Sequence, residues 1–132
     1  MAWITCKDGT ELSIGAGPLF NSIPRETLYR DIPHHAYTHV EMAAMPSALA
    51  KGVSNWKEYF EPMHNGTLPD GEWVLAYVPS AMVSKIINNC GGATDETRDL
   101  LPAGVTDWTH YVHLREVQSK PLTEPMFGGL KK

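Results

Sequence analysis

The segment His34-His35-Ala36-Tyr37-Thr38-His39-Val40-Glu41 places three imidazoles and one carboxylate within eight residues, just ahead of the small residues Ala43 and Ala44. Such a set suits metal binding or proton transfer, because a neutral imidazole is a ligand and a base near neutral pH. His35 and His39 stand at i and i+4, one helical turn apart, the spacing at which two imidazoles share one metal ion. If the segment is extended instead, His35, Tyr37, His39 and Glu41 share one face. His110 and His113 are further candidates, but three residues apart on a strand they point to opposite faces, so at most one can join. The plain alternative is that these are ordinary partly exposed histidines and that Glu41 lies at a helix start, where orphan amides and the dipole favour a carboxylate. Cys90, beside Gly91-Gly92, is the candidate nucleophile with a histidine as base. Its place on the apolar side of a helix argues instead for a buried, inert thiol.

The elements that must position these groups follow from periodicity. Trp3 to Cys6 and Glu11 to Ile14 flank Lys7-Asp8-Gly9-Thr10, where Asp-Gly supplies the positive φ of a tight turn, so the chain opens with a β-hairpin. From Gly15 to Pro33 three prolines interrupt any pattern, and a long loop is expected with one helical turn at Arg25 to Tyr29. A helical region is expected from about His39 to Phe60, with Leu49, Val53, Trp56 and Phe60 in one apolar stripe and a break at Pro46, after which Ser47 caps the second piece. The aromatic residues Trp56, Tyr59 and Phe60 serve either as core or as a recognition patch. After turn residues at Asn65-Gly66 and Pro69-Asp70-Gly71, the apolar run Trp73 to Val78 predicts a central strand buried on both faces. Ser80 is the expected N-cap of a helix carrying Val83, Ile86, Ile87 and Cys90 on one side and ended by Gly91-Gly92. Thr94 to Leu101 reads as a short helix, and Thr109 to Val117 alternates as a half-buried strand does.

The chain has 132 residues, of which 42% are hydrophobic and 20% charged, a size and composition for one compact domain. We expect a single-domain α/β sandwich over residues 1–120, with a mixed sheet, an N-terminal hairpin and helices on the sheet faces, followed by a tail over 121–132. A net charge of −4 and the lack of a basic cluster argue against strong non-specific binding to nucleic acid. No apolar run is long enough to cross a membrane and no leader pattern opens the chain, so a cytoplasmic location is expected. Two cysteines far apart in sequence then read as independent thiols rather than a disulfide.

His39-Val40-Glu41 followed by Met42-Ala43-Ala44 resembles the His-x-Glu motif of the cytidine deaminase-like superfamily, and the expected order of hairpin, helix, strand, helix, strand is similar to that family's. A second similarity is to the deaminase domains of bacterial polymorphic toxins, carried by His39-Val40-Glu41, Asn88-Asn89-Cys90-Gly91-Gly92 and Leu100-Leu101-Pro102-Ala103-Gly104. The resemblance implies zinc as cofactor, His39 as ligand, Glu41 as the catalytic proton carrier and two thiolates to complete the site. The chain departs from that pattern. If Pro79-Ser80-Ala81-Met82-Val83 is the cysteine motif, Ser80 and Val83 replace both thiolates; if Cys90 is the first thiolate, Ala93 stands at the second. His35 or an oxygen of Asp95 would then have to complete a set of three protein ligands.

Three functions follow as expectations. The first is a deaminase-like protein that acts on or binds a cytosine-type nucleobase or nucleotide through Glu41, His39, Cys90 and His35, its site being incomplete. The second is a small interaction or inhibitor protein that does no chemistry and has a protein partner. The third is a histidine-based metallohydrolase using His35, His39 and Glu41.

Overall fold

The computed structural model describes residues 1–50, 54–60 and 67–107. The expected strand Thr109 to Val117, the tail, the turn Asn65-Gly66, Val53, His110 and His113 lie outside the described residues. Four strands, β1 (Ala2–Thr5), β2 (Glu11–Gly15), β3 (His39–Ala44) and β4 (Trp73–Pro79), pair in the order β1-β2-β3-β4. Every pairing among these strands is antiparallel, so the described sheet is an antiparallel meander rather than the expected mixed sheet. With α1 (Pro46–Ala50), a 3₁₀ turn (Trp56–Tyr59), α2 (Ser80–Asn89) and α3 (Asp95–Arg98), it makes a small fold of sheet and helices.

The hairpin forms as its turn chemistry predicts. Gly9 takes φ +94°, Asp8 Oδ1 accepts the Thr10 amide at 2.9 Å, and Cys6 N donates to Thr10 O at 2.8 Å. The hairpin tip docks on the end of α2, where Asp8 N donates to Cys90 O at 3.2 Å and Lys7 N to Gly92 O at 2.9 Å. These bonds satisfy carbonyls that a helix terminus leaves without partners.

The segment from His39 is a strand, not the start of a helix. Val40 and Met42 are buried while His39 and Glu41 are half-buried, a period of two, and strands on both sides satisfy the backbone of β3. Pro46 does end the element, and it opens α1 at the first helical position, where its missing N–H costs nothing. Within the expected apolar stripe, Leu49 and Trp56 are buried and Phe60 packs on Trp73 with ring centroids 4.7 Å apart, but they belong to two short pieces. No helical turn forms at residues 25–29. β4 stands at one end of the described order, and its Tyr77 is exposed.

The core lies between α2 and the sheet. Met82, Val83, Ile86 and Ile87 of α2 meet Ile4, Leu12, Ile14, Val40, Met42, Leu75 and Val78 in one cluster. Ser80 is the first residue of α2 rather than its cap: its hydroxyl donates to Tyr37 O at 2.6 Å and its amide to Thr38 O at 2.9 Å. Beyond the helix, buried Asp107 organises the next turn. Its Oδ2 accepts Ala93 N at 3.0 Å and pairs with Arg98 Nε at 3.1 Å, while Arg98 also donates to Ala93 O at 2.9 Å. Removing one partner of a buried pair leaves the other unsatisfied. Asp107→Ala should therefore lower stability by about 3 kcal/mol in urea unfolding, and a loss under about 0.5 kcal/mol, the scale of neutral surface changes, would contradict the role assigned to this carboxylate.

Candidate functional site

β3 carries His39 and Glu41 on the face opposite its buried Val40 and Met42. The β3–β4 ladder slips there, with Val40 facing Val78 but Met42 facing Leu75, so Ala76 and Tyr77 together oppose Glu41. This is a bulge, a device that bends a strand and redirects a side chain. Tyr77 takes φ +52° and is exposed, a strained conformation for a bulky residue. Asn21 ties the two strands together: its amide donates to Glu41 Oε1 at 3.1 Å, and its carbonyl accepts Tyr77 N at 3.2 Å. His39 Nδ1 lies 2.9 Å from Thr38 Oγ1, and His39 O accepts Ile23 N at 2.9 Å. Glu41 and the backbone of His39 therefore anchor the preceding loop.

That loop, residues 16–38, is irregular but heavily cross-linked. Ser22 Oγ donates to Pro24 O at 2.9 Å and accepts Gly17 N at 3.0 Å. The buried Tyr37 hydroxyl donates to Glu26 O at 2.7 Å and accepts Leu28 N at 2.8 Å. His35 Nδ1 accepts Tyr29 N at 3.1 Å, and the two rings stack at 6.2 Å. His35 is thus engaged within the loop, and His34 is exposed at φ +68°. Between the loop and the sheet lies a groove of about 260 Å³, bordered by Met1, Ile14, Phe20, Leu28, Leu100 and Pro102.

Cys90 is elsewhere. It follows α2, whereas His39 pairs with Pro79 at the other end of that helix. Ten helical residues rise about 15 Å, while two ligands of one zinc ion stand within about 4 Å of each other. In this arrangement His39 and Cys90 do not reach a common ion. Cys90 instead meets Cys6, and burial, followed by the neighbouring Cys90, pushes the Cys6 thiol up to about 12. Both thiols are buried and free. Among the described residues no three His, Cys, Asp or Glu side chains form a group able to hold a metal ion. Among them, too, no helix is long and apolar enough to cross a membrane.

Sequence reasoning did not single out Glu72, which follows the Pro69-Asp70-Gly71 turn. Glu72 is 7% exposed and its Oε1 has no hydrogen-bond partner. It lines a cavity of about 400 Å³ with Glu11, Asp70, Thr10, Met45, Ser47 and Ala48. Burial, then Asp70 and Glu11, raise its pKa above the ordinary 4.5. Tyr77 and Asn21 were missed as well; nothing in the local sequence marks a bulge partner, whereas an acid directly after a Pro-Asp-Gly turn was visible as a charge without an obvious solvent-facing period. The chain matches no protein-family model, no curated protein and no solved structure.

Two outcomes are expected. Tyr77→Gly should relieve the left-handed strain and raise stability by about 1 kcal/mol, while Tyr77→Val should lower it by a similar amount, read by chemical denaturation; equal effects of the two would remove strain as the explanation. For Glu72, a pKa higher in the folded than in the unfolded chain favours folding while both states are protonated, below 4.5, and that contribution disappears as pH rises through the folded value. Glu72→Gln should therefore gain stability relative to the wild type as pH climbs from 4.5, levelling off above the raised pKa, in paired melts across pH. A pH-independent difference would show that the carboxyl is not perturbed.

Proposed function

We propose that this protein works by binding a protein partner through the surface of residues 16–38 and the adjoining groove, rather than by zinc-dependent deamination. The observation that carries this reading is a preformed groove bordered by the side chains of Met1, Phe20, Leu28, Leu100 and Pro102, with exposed apolar residues among them and next to them in sequence. Leu100, which borders it, is 53% exposed; Leu19 and Tyr29, next in sequence to the bordering Phe20 and Leu28, are 87% and 55% exposed. Exposed apolar side chains beside a groove are material for a protein interface. The internal bonds of Ser22, Tyr37 and His35 hold the loop in one shape, which lowers the entropy lost on binding. Glu41, bonded to the Asn21 amide, has the role of fastening this loop to β3.

The reading as a deaminase-like enzyme acting on a cytosine-type base requires zinc on His39 and Cys90, and their separation along α2 weighs against it. Elemental analysis of untagged wild type, His39→Ala and Cys90→Ser, alongside deamination assays on cytidine and a cytosine-bearing oligonucleotide, separates the two. Far less than one zinc per chain in all three, with no deamination, is the expected result. About one zinc per chain, lost in both variants, would overturn the proposal in favour of the deaminase reading. On the binding side, a photo-crosslinking residue at Thr27 should yield a discrete heteromeric adduct that is absent when the same group is placed at Lys85 on the exposed side of α2. Equal labelling from both positions would argue against this surface.

A further inference from the structure

We propose that Cys6 and Cys90 are a redox pair, converted by a disulfide of the glutathione class into a cross-link that fastens the hairpin tip to the end of α2, a device independent of the partner surface proposed above. The two cysteines stand far apart in sequence, and backbone pairing brings their segments together. Thr94 N donates to Thr5 O at 2.8 Å, Lys7 N to Gly92 O at 2.9 Å and Asp8 N to Cys90 O at 3.2 Å, so residues 5–8 run antiparallel along residues 90–94. Cys6 forms a bridge with Ala93 inside this run.

The close approach is built into the chain. Gly91, at φ +93°, follows Cys90, and a Cβ there would stand 3.3 Å from Lys7 Cβ, tighter than ordinary packing. Both cysteine side chains turn inward, each residue 1% exposed, and join the core cluster. There the two thiols hydrogen-bond each other, and both are free. Thiols held in contact present a high effective concentration to each other, which favours an internal disulfide over two separate adducts.

The step balances as an exchange. The thiolate of one cysteine attacks a sulfur of oxidised glutathione, breaking its S–S bond and releasing one glutathione thiol; the second cysteine then attacks the protein sulfur of the mixed disulfide and releases the other. Two protein thiols are oxidised, one glutathione disulfide is reduced to two thiols, and the two cysteine protons pass to the departing glutathiones. Burial, then the neighbouring Cys90, keeps the Cys6 thiol protonated at neutral pH, so the docked pair does not start this exchange. It begins when the tip lifts from α2, which breaks the bonds of the Lys7 and Asp8 amides, and redocking brings the second sulfur onto the first. The finished cross-link encloses β2, β3, β4 and α2, so it removes a large share of the unfolded chain's freedom.

The test equilibrates the wild-type chain without oxygen in mixtures of reduced and oxidised glutathione, in native buffer and in urea that unfolds it, then quenches in acid, alkylates free thiols and reads masses. Cys6 and Cys90 are the only cysteines, so a monomer that has lost both thiols and carries no glutathione holds this bond, and no substitution that disturbs the core is needed. The native chain should lose both thiols together, with an equilibrium constant at least about a hundredfold above that of the unfolded chain. The same factor must appear in the folding equilibrium, so the cross-linked monomer should melt about 10 °C above the dithiol form. Equal constants in the two buffers, a cross-linked form that melts no higher than the dithiol, a single-glutathione adduct as the end state, or disulfide-linked dimers would each overturn the pairing.

Discussion

β3 is the constraint on which the other placements depend. It has a strand on each side, so its backbone groups are committed to ladders with β2 and β4, and its side chains must alternate. Val40 and Met42 take the core face, and His39 and Glu41 are forced to the other. The ladder to β4 then brings Pro79 beside His39, so α2 must begin there and run away from it to Cys90. A single strand thus separates the two residues that a zinc site of the deaminase type would have to unite. It also explains the loop: a carboxylate on the non-core face, opposite a bulge, accepts the Asn21 amide of the preceding segment, and that segment is pinned by Asn21 and Ile23.

Much of this architecture was legible before any coordinates. Asp8-Gly9 announced the hairpin because only a few residues accept a positive φ, and Gly91-Gly92 announced the end of α2 in the same way. The stripe Val83, Ile86, Ile87, Cys90 gave the buried side of α2 because its spacing matches the helix period. The His39 segment misled for a physical reason. His-Val-Glu-Met alternates over only four residues, and the Met-Ala-Ala-Met run after it has high helix propensity, so local preference pointed one way and pairing with two neighbouring strands decided the other. Ser80 misled likewise: a serine ahead of an apolar helix suits an N-cap, but Tyr37 O lies within reach of its hydroxyl, and that bond depends on a loop more than forty residues upstream.

The candidate sites were less legible than the fold, since they depend on which polar groups the fold leaves without partners. His35, Glu41 and Cys90 looked chemically available as residue types, yet the structure engages each one: His35 on Tyr29 N, Glu41 on Asn21 N, Cys90 against Cys6. Glu72, which no motif singles out, is the acid with a buried carboxylate oxygen that lacks a partner.

Two buried side-chain oxygens lack partners among the described residues, and their contrast is instructive. Ser13, buried on β2, stands between Trp3 and Ala43 in the ladder register. A hydroxyl there is neutral, and leaving it unbonded costs about 1 to 3 kcal/mol, which a small fold can tolerate. Glu72 is different in kind, because an ionised carboxylate in the same situation would cost several kcal/mol more, and two further carboxylates beside it increase that cost. Holding the proton reduces such a penalty, and the upward pKa shift reflects it. The protonated carboxyl therefore favours the fold at low pH, and that contribution is lost as pH rises through the folded value, so one buried side chain ties the stability of the protein to pH.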